Sequence, residues 1–187
     1  MIVRLKASDF IPLALVASIL MALGGAFQTL EIQIPPNRTL AVPVAVLLSL
    51  PAALAASYVG TNDFRAIVRT ATRRVSGYAA AESAAVLLIP TILGLAISNW
   101  QPSDFLLAGI RDYWGLWALS VLARRLVTPA ASWFPATALF FTSVVAGTAG
   151  QTVMWWAWPV AQAQSPEAFW ITVALIALAS FAKTRLD

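Results

Sequence analysis

Four short basic segments, separated by long apolar runs, constrain this chain more than any other feature. Arg4 and Lys6 precede the first run; Arg65, Arg69, Arg73 and Arg74 follow the second; Arg124 and Arg125 follow the fourth; Lys183 and Arg185 end the sixth. Of the 12 basic residues only Arg38 and Arg111 fall elsewhere. Lys and Arg resist translocation, so an alternation of this kind predicts helices that cross a bilayer with the basic segments held on the cytosolic side. The expected fold is therefore all-α: a polytopic membrane protein of six transmembrane helices with N and C termini cytoplasmic, placed in a cytoplasmic membrane.

Composition points the same way. The chain is 60% hydrophobic and 11% charged, with a mean hydropathy of +0.79, far from the usage of an ordinary water-exposed domain. Its net charge of +4 is accounted for by the inner basic segments lying against anionic headgroups, so nucleic acid is not expected as a partner. Neither cysteine nor histidine is present. Disulfides, thiol nucleophiles, bis-histidine haem ligation, most zinc sites and any Ser-His pair are thereby removed. No catalytic constellation remains, and the expectation is a non-enzyme with no cofactor of its own.

The apolar runs predict spans at about 9–30, 40–59, 77–97, 105–123, 134–158 and 168–182, forming a single transmembrane domain over 1–187. The start could be read as a signal peptide with a small-residue cleavage site at 22–26, but its apolar run is longer than a signal core and is taken as a true span. Ala14, Ser18, Ala22 and Ala26 recur every fourth residue in the first span, a stripe that lets another helix come close. Pro51 and Pro90 lie inside the second and third spans and should kink them, provided neighbours or side chains such as Ser49 satisfy the freed carbonyls. Most tryptophans sit near span ends, with Trp114 and Trp117 the exceptions, as an aromatic belt requires. The segment 159–167 reads as a bare turn.

Two groups of residues stand out as candidate sites. Between the second and third spans, Phe64, Ile67, Val68, Ala71 and Val75 follow helical spacing while Arg65, Arg69 and Arg73 fill the opposite face and Arg74 adds a further charge. These predict a cytosolic basic amphipathic helix over 63–75, which either rests on anionic lipid or docks a partner subunit. Within the spans, Arg111, Asp112, Glu82 and Gln151 form a candidate intramembrane polar site. Residues adjacent on a helix diverge by about 100°, so Arg111 is expected to seek Glu31, Asp104 or a substrate anion rather than Asp112, or else to extend to the outer interface. Gln28 and Gln151 are expected to hydrogen-bond between helices.

Six spans, the basic helix at 63–75, and the stretches Arg111-Asp112-Tyr113-Trp114-Gly115-Leu116, Ala123-Arg124-Arg125-Leu126 and Trp155-Trp156-Ala157-Trp158-Pro159 together resemble small actinobacterial ABC-2-type transporter permeases. The topology likeness covers nearly the whole chain. The chain departs from that pattern in having few residues before the first span and no re-entrant helices between the fifth and sixth. The resemblance implies a permease subunit of an ATP-driven exporter, with ATP and Mg on a separate ATP-binding subunit docked at 63–75. It further implies a second permease copy or paralogue as partner and an amphipathic peptide, antibiotic or lipid-like cargo. Size and layout also resemble the substrate-capture subunit of an energy-coupling-factor vitamin transporter, and a non-transporting scaffold or accessory subunit is the third alternative.

Overall fold

The computed structural model describes the backbone of 2–33, 41–58, 75–149 and 152–184, and their side chains apart from those of 2–10, 33, 75–80, 82, 129, 149, 183 and 184. Helix α1 (Ile2–Ala26) leads into an antiparallel ribbon of β1 (Glu31–Gln33) and β2 (Ala41–Pro43), registered with Glu31 opposite Pro43. Helices α2 (Val44–Tyr58), α3 (Val75–Ile97), α4 (Asp104–Ala123) and α5 (Phe134–Ala146) follow. A second ribbon, β3 (Thr148–Ala149) with β4 (Thr152–Val153), precedes a 3-10 turn at Trp158–Val160 and helix α6 (Pro166–Thr184).

The helical content agrees with the sequence, but the six-span membrane fold and the multi-pass membrane location do not stand. Among the described residues, no helix is long and apolar enough to cross a membrane. The reasons differ between helices. At a rise of about 1.5 Å per residue, the 15 residues of α2 and the 13 of α5 reach only about 20 Å, short of a hydrocarbon core of about 30 Å. In the longer helices, charges divide the apolar surface. The helical stretches free of charge are 10–26, 83–97, 113–123 and 168–182, of which the longest only reaches the lower limit of about 17 residues for a span. The fifth expected span is the largest departure: α5 stops at Ala146, and 147–149 and 152–158 become ribbon, turns and the start of the 3-10 segment.

Helix α4 is the centre of the assembly. It packs on α2, on α6 and on α5, while α1 pairs with both α2 and α3. Leu106, Ala108, Tyr113, Leu116, Trp117, Ala118 and Ala123 of α4 are buried, and they point in every direction around the helix, as a helix enclosed on all sides requires. Small residues set the closest approaches. A Cβ at Gly109 would lie 2.7 Å from the Ala45 carbonyl oxygen, and one at Gly94 would lie 3.1 Å from the Met21 carbonyl oxygen. Among the described side chains of α1, the buried small residues are Ala17, Ser18, Gly24 and Gly25. Of the expected stripe, only Ser18 is buried; Ala14 and Ala22 are half-buried, and Ala26 is exposed.

Several buried or half-buried hydroxyls bond back to backbone one turn earlier, whereas the buried Ser120 Oγ has no hydrogen-bond partner among the described residues. Ser49, Ser57, Thr91, Ser98, Ser143 and Thr172 each donate to a carbonyl three or four residues back, which removes most of the cost of burying them. The Ser49 bond reaches the Val46 carbonyl rather than that of Leu47, the one Pro51 leaves without its helical donor. At Pro90 the expectation is met from outside the helix. Proline removes the donor that would serve the Val86 carbonyl, and the Tyr113 hydroxyl of α4 donates to that oxygen at 2.5 Å. One residue on, the Trp114 indole donates to Thr91 Oγ1 at 2.9 Å.

Candidate functional site

At the end of the bundle where α1 finishes and α4 begins, the chain encloses a cleft of about 380 Å³. The β1–β2 ribbon supplies Glu31, Val42 and Pro43; α2 supplies Val46; the first turns of α4 supply Asp104, Phe105 and Ala108; the segment 160–164 closes the third side. Local chemistry builds each wall. Ser103 caps α4, accepting from the Leu106 amide at 3.2 Å, and Asp104 in the first turn complements the positive end of the helix dipole. Gln28 then ties the carboxylate-bearing walls together: its side-chain oxygen accepts from the Ser103 amide at 2.8 Å, and its carbonyl accepts from the Ser103 hydroxyl at 3.2 Å. Gln28, expected to bond between helices, instead links the α1–β1 connection to the cap of α4.

The lining pairs two carboxylates, Glu31 and Asp104, and two amides, Gln162 and Gln164, with an apolar surface of Val42, Pro43, Val46, Phe105 and Val160. No basic side chain lies among its described lining residues. Such a cleft suits a ligand with a cationic head and an apolar body, because a carboxylate stabilises a cation at short range while the apolar wall removes the body from water.

Behind the third wall lies the only described part of the expected polar site. Arg111 is 9% exposed and Asp112 fully buried. They are not divergent: Arg111 Nε and Nη2 both donate to Asp112 Oδ1, at 3.0 and 2.9 Å. The long guanidinium arm curls back along the helix, which the 100° separation of the two backbone positions does not prevent. The remaining bonds of Arg111 go neither to Glu31 nor to Asp104 nor outward to the surface. Nη1 donates to the Gln162 carbonyl at 2.8 Å, and Nη2 to the carbonyls of Trp158 at 2.9 Å and Ala161 at 3.0 Å. Asp112 Oδ2 has no hydrogen-bond partner. Burial pushes its carboxyl up to about 8, against the opposing pull of the Arg111 charge and hydrogen bonds.

The wall held by Arg111 is wedged from two further sides. A Cβ on Gly115 would collide with the Trp158 ring, and one on Gly147 would lie 2.5 Å from the Ala157 Cβ. Within the bare turn expected at 159–167, Pro159 and Ala161 are buried, as are Ala157 and Trp158 just before it, so its first residues are fitted against the bundle.

At the opposite end, Arg124 serves the junction of α2 and α4. It donates to Ser132 Oγ at 3.3 Å and to Ser57 Oγ at 3.5 Å, and it lies 5.3 Å from the centre of the Tyr58 ring. Burial lowers its guanidinium to about 10.

The expected docking residues Phe64, Arg65, Ile67, Val68, Arg69, Arg73 and Arg74 lie outside the described residues, as does Gln151; Glu82 sits on α3 but its side chain lies outside them too. Glu31 and Asp104 entered the sequence analysis only as partners for Arg111. Their meeting across a cleft depends on the β1–β2 ribbon, which three-residue strands leave without a usable period in the sequence. Among the described residues, no group of side chains suited to a metal ion is present. No family model, curated protein or solved structure matches this chain.

Proposed function

We propose that this chain is a non-catalytic capture protein that takes a cationic amphiphile into the cleft between the β1–β2 ribbon, α4 and 160–164. The observation that supports this reading is the pairing of Glu31 and Asp104 with an apolar lining and no basic side chain among the described lining residues. It keeps the amphipathic cargo implied by the resemblance and leaves aside the passage across a bilayer, which depended on the spans. A dodecylammonium probe should bind in a non-ionic maltoside, and Glu31→Gln with Asp104→Asn should weaken it about tenfold or more, the worth of at least one charge-assisted hydrogen bond. Dodecyl sulfate should not compete. Equal binding of the two detergent ions, or an unchanged affinity in the double variant, would overturn the reading.

A second reading is that the chain is an accessory subunit, with partners covering its flanks. Large apolar side chains stand exposed along α1 (Ile11, Leu15, Ile19), α3 (Leu88, Ile92), α5 (Phe141, Val145) and α6 (Leu178, Phe181), far beyond the scattered apolar residues of an isolated domain. The ATP-binding subunit implied by the resemblance is the partner to test.

A further inference from the structure

We infer that Arg111 is the positioning residue of the cleft: its guanidinium fixes the non-helical segment 158–162, and with it the width the cleft offers to a ligand. This rests on the reading of the cleft as an amphiphile site, and it extends that reading to what sets size selectivity.

The geometry supports it in three ways. First, two of the carbonyls that Arg111 binds belong to Ala161 and Gln162, which themselves line the cleft. Second, the segment has little regular structure of its own. Its internal bonds are those of one 3-10 turn, Val160 N to Ala157 O at 3.0 Å and Ala161 N to Trp158 O at 3.2 Å. A single turn of that kind does not hold its shape without outside support. Third, the support comes from the centre of the bundle. Arg111 stands on α4, the same helix whose first turn carries Asp104 and Phe105 on the opposite wall. One rigid element therefore sets both sides of the opening. The planar guanidinium is suited to this, because its donors leave in fixed directions and reach several carbonyls at once, which an ammonium on a flexible stem cannot reproduce.

Arg111 touches no ligand in this arrangement, so its effect must be separated from plain loss of stability. The test uses wild type, Arg111→Lys, Arg111→Gln and, as a control, Tyr113→Phe, which weakens α4 against α3 without touching 158–162. Each is purified in a non-ionic maltoside. Affinities are measured for octyl-, dodecyl- and hexadecyltrimethylammonium below their micelle concentrations, and amide exchange is followed across 157–164. Both Arg111 variants should lose the chain-length preference of the wild type by about tenfold and lose protection at the amides of 160 and 161. Tyr113→Phe should keep both. Gly115→Ala, which presses on Trp158 from its other side, should shift the preference while leaving Arg111 intact, and it keeps the test decisive if an Arg111 variant fails to fold. Retention of preference and protection in Arg111→Gln would overturn the inference. Failure of the wild type to bind any of the three cations would instead sink the capture reading, with exchange at 160 and 161 still deciding whether Arg111 holds the wall.

Discussion

Tyr113 shows how a single hydroxyl decides the fate of a neighbouring helix. Without it the Val86 carbonyl, already deprived of its helical donor by Pro90, is buried with nothing to accept from. Tyr113→Phe should therefore cost about 1–3 kcal/mol, the penalty of an orphaned acceptor rather than the smaller worth of an average hydrogen bond, measured by denaturant midpoint. Asp112 is a second case, and its sign is worked out from burial. Its folded-state carboxyl is raised from 3.8 to about 8, so the folded chain holds the proton more tightly than the unfolded one. The stabilisation is complete below about pH 4 and is lost as pH rises toward 8. Wild type should become less stable over that window by on the order of a few kcal/mol, and Asp112→Asn should flatten the profile; a wild-type profile level from pH 4 to 8 would remove this account. The need for a donor at Pro90 was legible in the sequence, since proline always frees a carbonyl. That Tyr113 supplies it was not, because the partner comes from another helix.

At the level of elements, glycines facing Ala45 make opposite demands. A Cβ at Gly109 would lie 2.7 Å from the Ala45 carbonyl oxygen, whereas one at Gly24 would meet the Ala45 Cα at 3.5 Å, an ordinary contact. Gly109→Ala should therefore force α2 away from α4 at a cost of about 1–3 kcal/mol. Gly24→Ala should be neutral or stabilising by up to about 1 kcal/mol through helix propensity. Thermal unfolding of the two variants side by side checks the pair. Helices α3, α4 and α6 were legible from apolar runs to within two residues at each end. The break after α5 was missed although its signal is present: in the sequence Gly150-Gln151 separates Thr148-Ala149 from Thr152-Val153, and a two-residue connection beginning with glycine marks a hairpin. Apolar continuity through 152–158 masked it. The clamp of Arg111 on 158–162 had no local signal, since the two segments are distant in sequence.

For the whole molecule, the unsettled surface is the flank rather than the core. Leu126, Val145, Trp155 and Trp170 are 88%, 76%, 76% and 66% exposed, and such surface self-associates in water unless something apolar covers it. Expressed alone, the chain should sediment as a single species only in detergent. If a partner subunit docks at 63–75, charge reversal at Arg65, Arg69 and Arg73 should abolish copurification of an ATPase, and intact copurification would dismiss that partner surface. Arg111 adds a consequence in time. Its carbonyl acceptors lie 47 to 51 residues further along the chain, so a ribosome that has just released α4 has made a charge whose clamp does not yet exist. Until Trp158 to Gln162 emerge, the centre of the bundle holds an arginine tied only to Asp112, and a chain cut short before Trp158 keeps that liability for good.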